Sequence, residues 1–317
     1  MIISIIIINW NSWDYLQNCV KSILINISID DYEIIILDNN SEYDFSESIV
    51  NKSSKIRYLK LDKNIGFPAA NNLGIKLAKG KYILLLNPDT LIYTNTIERS
   101  IVKLEENKSI GCLGVKTIKE DQKIFDCCAR KFPSMRNMFF NRLYLNRLFK
   151  SYRFFTSVNM DYWDHNDSRM VDMIHGGFML IPRIVIDKIG LLDTKLALFY
   201  EDNEYCCRVK KNGYLVYYFS DVYITHFSGT STKKANPRWI NEMRHEAWYL
   251  LFNEYGKYYQ KYLYWIIVMF VSPLTIIGLT CLYPFVKKQK NKIVYELCIS
   301  YHGIIWAVKK IVKKFYE

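Results

Sequence analysis

Residues 81–90 read KYILLLNPDT, an apolar run that stops abruptly at Asn87-Pro88-Asp89. Tyr82–Leu86 has the length and unbroken apolarity of a strand buried on both faces. Pro88 lacks the N–H that a ladder requires, so the strand ends before it. Asp89 therefore stands on a loop at the carboxyl end of a strand, where open α/β sheets place their ligands. A carboxylate in that position is suited to holding a metal ion.

The same pattern repeats towards the N-terminus. Ile2–Ile8 is β-branched and continuously apolar, Glu33–Leu37 is a second such run and Ile56–Leu61 a third. Trp13–Asn26 and Pro68–Ala78 have helical spacing, with Pro68 suited to a first helical turn and Gly80 closing the second helix. This alternation within the first ninety residues predicts an α/β fold with a single doubly wound, mainly parallel sheet flanked by helices. MIISIIIINWN carries no basic n-region or cleavage site and reads as a buried first strand, not a signal peptide.

Beyond Asp89 the pattern loosens. Glu120–Asp167 is rich in aromatic and basic residues, shows little period and reads as a variable, partly mobile insertion. Order returns at Met170–Ile181, an apolar strand interrupted by Gly176-Gly177. Helices are expected near Pro182–Ile189 and Asp202–Asn212, and strands at Leu215–Phe219 and Val222–Thr225.

The chain ends differently. Tyr262–Val286 has no charged residue over 25 positions, and at about 1.5 Å per residue it could cross a hydrocarbon core of about 30 Å. Pro273 and Pro284 interrupt it, and lysines lie on both sides, contrary to the asymmetry of a single crossing. Ile293–Phe315 repeats Leu297, Tyr301, Ile304, Val308, Ile311 and Phe315 at spacings of three and four, with lysines off that face. A helix lying in the membrane interface has this pattern. Interfacial or re-entrant attachment is thus expected ahead of a true crossing, and ahead of a soluble core or homodimer seam.

Composition agrees with this division. The 317 residues suffice for one large α/β domain or two smaller ones. Lys plus Arg number 43 against 31 Asp plus Glu, a net charge of +12. Residues 287–317 hold eight lysines against Glu296 and Glu317. Basic residues beside apolar ones suit an anionic membrane surface, at about 1 kcal/mol each; nucleic acid is the competing reading and is not expected as a partner. The eight cysteines show no C-x-x-C spacing, and Cys127–Cys128 and Cys206–Cys207 are adjacent pairs that make poor disulfides, as in a reducing compartment.

Four polar clusters fall at strand ends or adjacent turns: Asn9-Trp10-Asn11, Asp38-Asn39-Asn40-Ser41, Asn64-Ile65-Gly66-Phe67 and Asn87-Pro88-Asp89. Each alone is ordinary turn chemistry. Four at successive sheet edges converge on one crevice. Asp38 can accept hydrogen bonds from a base or ribose, Asn64 and Gly66 permit close approach of the backbone, and Asp89 can ligate a divalent ion that bridges phosphates. Gly176-Gly177 leaves room for a ligand beside a strand. Glu201-Asp202 places two carboxylates at a helix start, where acids also cap and complement the dipole. His226 ends a strand in ITHFSG.

In chain order, SIIIINWN, ILDNNS, NIGFPAANNLG, LLLNPDT, MIHGGFMLI, GLLDTKLALFYEDNEYCCR with NGY, and ITHFSGTS resemble glycosyltransferase family 2, the inverting A-type nucleotide-sugar enzymes, and within it the rhamnosyltransferase-like bacterial members. The resemblance covers roughly Ile2–Ser231. It departs from the usual Asp-x-Asp metal motif at Asn87, which leaves Asp89 as the principal carboxylate ligand. It implies a catalytic domain over residues 1–235 with the A-type fold, and a helical, membrane-associated extension over 236–317. It implies that Asn9, Asn11, Asp38, Asn40, Asn64, Gly66, Asn71, Asn87, Asp89, Gly176 and Gly177 line the donor site. Asp89 and His226 would hold Mg²⁺ or Mn²⁺, Asp202 would be the general base and Glu201 its partner. Ser231, Thr232 and Lys233 would close over the diphosphate.

The implied partners are a nucleotide-sugar donor, with dTDP-rhamnose favoured over UDP-hexose or UDP-N-acetylhexosamine, and a glycan or lipid-linked acceptor. The implied place is the cytoplasmic face of the inner (plasma) membrane. No G-x-G-x-x-G or G-x-x-x-x-G-K-[ST] occurs, which argues against dinucleotide oxidoreductases and P-loop enzymes. A sugar nucleotidylyltransferase would want a glycine-rich loop where Asn9-Trp10-Asn11-Ser12 stands. An inactive membrane scaffold would have no use for Asp89, Asp202 and His226 together.

Overall fold

The computed structural model describes residues 1–43, 53–125, 128–143, 145–149, 152, 154–155, 158–227, 236–285 and 290–316. In chain order the elements are β1 (Ile3–Asn9), α1 (Trp13–Asn26), β2 (Tyr32–Asp38), β3 (Ile56–Lys60), α2 (Phe67–Leu77), β4 (Tyr82–Leu86), β5 (Thr90–Ile92), α3 (Thr96–Glu106), β6 (Ile110–Ile118) and β7 (Ala129–Arg130). They continue with α4 (Met135–Arg142), α5 (Leu145–Leu148), β8 (Arg169–Val171), β9 (Met173–Ile174), β10 (Phe178–Pro182), α6 (Arg183–Ile189), α7 (Glu201–Lys211) and β11 (Leu215–His226). The last helices are α8 (Pro237–Tyr255), α9 (Gln260–Ile266), α10 (Ser272–Leu282) and α11 (Lys290–Tyr316).

Two compact units are present, Met1–Lys131 with Asp164–Lys234, and Phe132–Trp163 with Ala235–Glu317. Part of the expected insertion, Phe132–Trp163, thus groups with the C-terminal helices, whereas the sequence pattern put it with the first 235 residues.

In the first unit the described residues form a nine-stranded sheet ordered β3-β2-β1-β4-β10-β6-β11-β5, with β8 also on β11. β1 pairs parallel with β2 and β4, and β2 with β3. β10 is antiparallel to both β4 and β6, so β6 runs with β4, and β11 is parallel to β6. The sheet is therefore mostly parallel, with β5, β8 and β10 reversed. β10 is entered through the turn at Gly176-Gly177 from β9, which pairs with β7 outside this sheet, so its direction is not set by a hairpin with either neighbour. The two strands expected in 215–225 are one strand, β11, whose register to β6 shifts between Phe219 and Tyr223.

Why the first strands are central is plain from their composition. All seven residues of β1 are buried, and each fully buried Ile contributes roughly 1.5–3 kcal/mol relative to exposure. Helix α1 covers the sheet with Trp13, Leu16, Cys19, Val20 and Ile23, one face of its turns. Helix α2 approaches closely because Gly74 has no side chain: a methyl there would stand 2.5 Å from Ile6 Cγ2. The net effect is to aim the carboxyl ends of β1, β2 and β4 at one edge.

The second unit is a helical cluster around Met138, Phe252, Tyr264, Ile267, Val268, Trp306 and Ala307. His245 is buried there, with Nδ1 2.8 Å from Tyr264 Oη and its ring stacked on Trp306. Gln260–Cys281 is the one helical run among the described residues long and apolar enough to cross a membrane. Pro273, expected to interrupt this run, does not break it. A π-helical turn at Ile267–Val271 joins α9 to α10, and Pro273 follows directly after it, where the locally widened helix accommodates the missing N–H. The thiols of Cys19, Cys112, Cys128, Cys206 and Cys207 are buried and unbridged.

Candidate functional site

Asn9 and Asp38 are paired residues at the ends of β1 and β2. Asn9 Nδ2 donates to Asp38 Oδ2 at 2.7 Å, and Ser41 N to Asp38 Oδ1 at 2.6 Å. Asn9 and Asp38 are wholly buried, so Asn9 holds the carboxylate in place from beneath. Asn11 and Asn40 adopt left-handed backbone conformations at φ 54° and 64°, which Asn tolerates better than most residues. Asn11 caps the next turn by accepting from Glu42 N at 2.9 Å.

The third cluster is tied to the second through a residue the sequence reading did not single out. Asn39 Nδ2 donates to Asn64 Oδ1 at 3.0 Å, and Asn39 Oδ1 accepts from Ile65 N at 2.9 Å. Gly66 begins α2 at φ +85°, and Phe67 N donates to Ala197 O at 3.2 Å. Asn71 is buried inside α2, its Nδ2 donating to Phe67 O at 3.0 Å, which makes it a stabiliser of the helix start. Its neighbour Asn72 clamps Leu192 through both amide atoms, at 2.8 and 2.9 Å.

The fourth cluster meets its distant partners where β5 pairs with β11, His226 opposite Thr90. His226 Nε2 lies 3.0 Å from Asp89 Oδ1 and 3.3 Å from Asn87 Nδ2, with Asp89 and His226 both buried. His226 Nδ1 is buried without a hydrogen-bond partner. The tautomer that leaves no buried N–H unpaired carries its hydrogen on Nε2 and donates it to Asp89. One carboxylate and one imidazole suit a hard or borderline divalent cation that takes its other ligands from phosphate and water. Among the described residues no group of three or more His, Cys, Asp and Glu could complete an all-protein site.

The glycine pair connects this corner to the other carboxylates. Asn87 N donates to Gly177 O at 3.1 Å. A methyl on Gly177 would lie 2.9 Å from His175 Nδ1 and 3.7 Å from His226 Cε1, and one on Gly176 3.4 Å from Asp202 Cβ. Gly176 N donates to Asp202 Oδ2 at 3.2 Å and Asn203 N to Asp202 Oδ1 at 2.7 Å. Two residues outside the expected set appear here. His175 is packed 5.2 Å from the His226 ring, and burial keeps its imidazole well below its usual range, hence neutral. Its Nδ1 accepts from Gly177 N at 3.0 Å. Arg130 reaches Asp202 from β7, at 3.5 Å. A histidine beside two glycines was a visible signal; Arg130, in a stretch without period, offered none. Ser231, Thr232 and Lys233 lie outside the described residues.

Glu201 is buried against Asp202, and desolvation, then the neighbouring negative charge, raise its carboxyl from 4.5 to about 8. The folded protein therefore holds more protons than the unfolded chain between these two values. The stability linked to Glu201 is fully present below pH 4.5, declines as pH rises and is lost above about 8. Glu201→Gln is expected to flatten the fall of the urea midpoint across that window. A midpoint that falls with pH as steeply as in the wild type would show that Glu201 ionises normally.

Comparisons with known proteins place this mostly parallel α/β sheet in a family. Residues 4–169 match the family model described as "Glycosyl transferase family 2", and the chain belongs to that family. It is 42% identical over 110 residues to an uncharacterised glycosyltransferase of Rickettsia felis, covering 34% of this chain but only 18% of that relative. It is 23% identical over 213 residues to the low-salt glycan biosynthesis hexosyltransferase Agl10 of Haloferax volcanii, 66% of this chain and 62% of that one. Among solved structures, a mannosyltransferase of Pyrobaculum calidifontis in complex with GDP-Man and Mn²⁺ superposes with a TM-score of 0.61 at 14% identity, over 98% of this chain and 87% of that one. The shared fold is thus established, and the chain spans less than two thirds of the length of the first of the curated relatives it matches.

Proposed function

We propose that the protein transfers a sugar from a nucleotide-diphosphate donor to a glycan or lipid-linked acceptor, with inversion, during synthesis of a bacterial surface polysaccharide. The observation that carries this reading is the splitting of the acidic groups at one sheet edge. Asp89 is paired with His226, while Asp202 sits across the Gly176-Gly177 turn beside a neutral Glu201. Pairs of carboxylates in contrasting environments mark a division of roles. Asp38 accepts from the nucleoside, and the Asn39–Asn64–Gly66 chain shapes the pocket floor. Asp202 takes the proton of the acceptor hydroxyl as that oxygen attacks the anomeric carbon.

Asp89 and His226 would hold Mg²⁺ or Mn²⁺, which when bound neutralises charge on the departing nucleoside diphosphate. Mn²⁺ in the Pyrobaculum mannosyltransferase supports that choice. Rhamnose from dTDP-rhamnose is the favoured donor by the resemblance to rhamnosyltransferase-like members, among which an Asn at the position of Asn87 is familiar; UDP-hexose and UDP-N-acetylhexosamine are the alternatives. A thermal-shift screen of these donors with Mn²⁺, followed by nucleotide release and NMR of the product anomer, tests the reading. A retained anomeric configuration, or stabilisation by none of the donors, would sink it.

The second unit is proposed to hold the enzyme at the cytoplasmic face of the inner membrane. Ile266, Phe270, Leu274 and Ile277 are exposed at helical spacing, as are Tyr301, Val308 and Val312 on α11. Their opposite faces are packed into the helical core, which supports interfacial seating over a lone crossing. The protein is expected to float with anionic vesicles and not with zwitterionic ones; equal recovery from both would count against it.

A further inference from the structure

We propose that Arg130 is a positioning residue for the acceptor-activating carboxylate, placing a fixed positive charge beside Asp202 and fixing its orientation together with Asn203. The inference rests on the reading of Asp202 as the base.

Arg130 closes β7, which pairs with β9 (Arg130 opposite Met173). The ribbon is braced by Asp172 N donating to Arg130 O at 3.1 Å and His175 N donating to Cys128 O at 3.3 Å. Its position is therefore set by the same strand that leads into Gly176-Gly177. The guanidinium is only 12% exposed, Nη2 donating to Asn203 Oδ1 at 2.8 Å and lying 3.5 Å from Asp202 Oδ2. Asn203 in turn anchors its Nδ2 on Phe199 O at 3.3 Å, at a residue with φ +72°. Asp202 is thus held from three directions: Gly176 N and Arg130 at one oxygen, Asn203 N at the other.

The charge balance explains why a cation is needed. Asp202 is faced by Glu201 on its own helix, by Arg130 from β7 and by the thiol of Cys112 from β6. Two adjacent buried carboxylates cannot both ionise cheaply. Arg130, always protonated, pairs directly with Asp202, while on Glu201 its charge is the smallest of the influences and is outweighed by burial and by Asp202 itself, so its positive charge favours Asp202 as the carrier of the negative charge. Both contacts come from one terminal nitrogen, Nη2, whose two hydrogens can serve the Asp202 and Asn203 oxygens together.

The test is the pH profile of kcat/KM for wild type, Arg130→Gln and Arg130→Lys, with donor KM measured alongside. In Arg130→Gln the acid limb is expected to move up by about one pH unit, an about tenfold loss below the limb that recovers at high pH. Donor KM stays constant and Arg130→Lys moves the limb part of the way back. A loss equal at every pH with an unmoved limb, or a change confined to donor KM, overturns the proposal. Should Arg130→Gln fail to fold, Asn203→Ala removes the anchor and is expected to move the limb in the same direction; an unmoved limb there also overturns it. Asp202→Asn separates the two ideas: survival of the acid limb in that variant defeats the base assignment itself. Loss of the limb there with an unmoved limb in Arg130→Gln defeats only the role of Arg130.

Discussion

Asp202→Asn retains donor binding and loses most turnover, with kcat falling by about 10²–10⁴-fold, the usual worth of a positioned general base. The amide is isosteric and its single oxygen can still accept from Asn203 N, the contact at 2.7 Å within the helix start, while its NH₂ group replaces the oxygen that accepts from Gly176 N at 3.2 Å. The helix start therefore keeps its own contact, and the proton acceptor is lost. Isothermal titration of the donor checks the first half and steady-state kinetics the second. Turnover within a few-fold of wild type would remove Asp202 from the mechanism and turn attention to its neighbour Glu201, whose raised carboxyl would then have to ionise before acting.

Asp89→Ala is expected to weaken Mn²⁺-supported donor binding by at least about tenfold to a hundredfold, a loss seen even for outer-shell changes at metal sites. With Asn87 in place of a second motif carboxylate, nothing else on that loop can substitute. His226 would remain, but a lone imidazole is a poor grip for Mg²⁺, which prefers oxygen ligands. The comparison is donor titration with Mn²⁺ against donor titration with EDTA. The wild type should lose affinity on chelation and the variant should not. A variant that still responds fully to Mn²⁺ would place the ion elsewhere.

Some of this was written plainly in the chain. β1 and β4 could be read directly because unbroken Ile and Leu runs have only one economical environment, the middle of a sheet covered on both faces. Asp89 could be read because Pro88 forces the strand to stop one step before it. What could not be read was anything dependent on register between distant strands. Nothing local to His226 says that it lies opposite Thr90. The insertion of β10 between β4 and β6 is likewise invisible to periodicity, since an antiparallel and a parallel buried strand have the same composition. Asn71 could not be placed from the motif alone: its Nδ2 donates within its own helix, to Phe67 O, a contact that sequence spacing does not reveal. Arg130 was missed because its segment gains order only from pairing with β9.

The joining of β5 to β11 also has a temporal side. Asn9, Asp38, Asn64 and Gly66 all lie within the first 66 residues, so the nucleoside edge can assemble from neighbours in the chain. The Asp89–His226 pair spans 137 positions, and the closure of so long a loop comes late by simple chain statistics. During synthesis, a polypeptide that has emerged only as far as residue 214 has the edge proposed for the nucleoside but lacks His226, the proposed second ligand beside Asp89. Under the proposed roles, phosphate chemistry would be deferred until β11 has been made and laid against its partner.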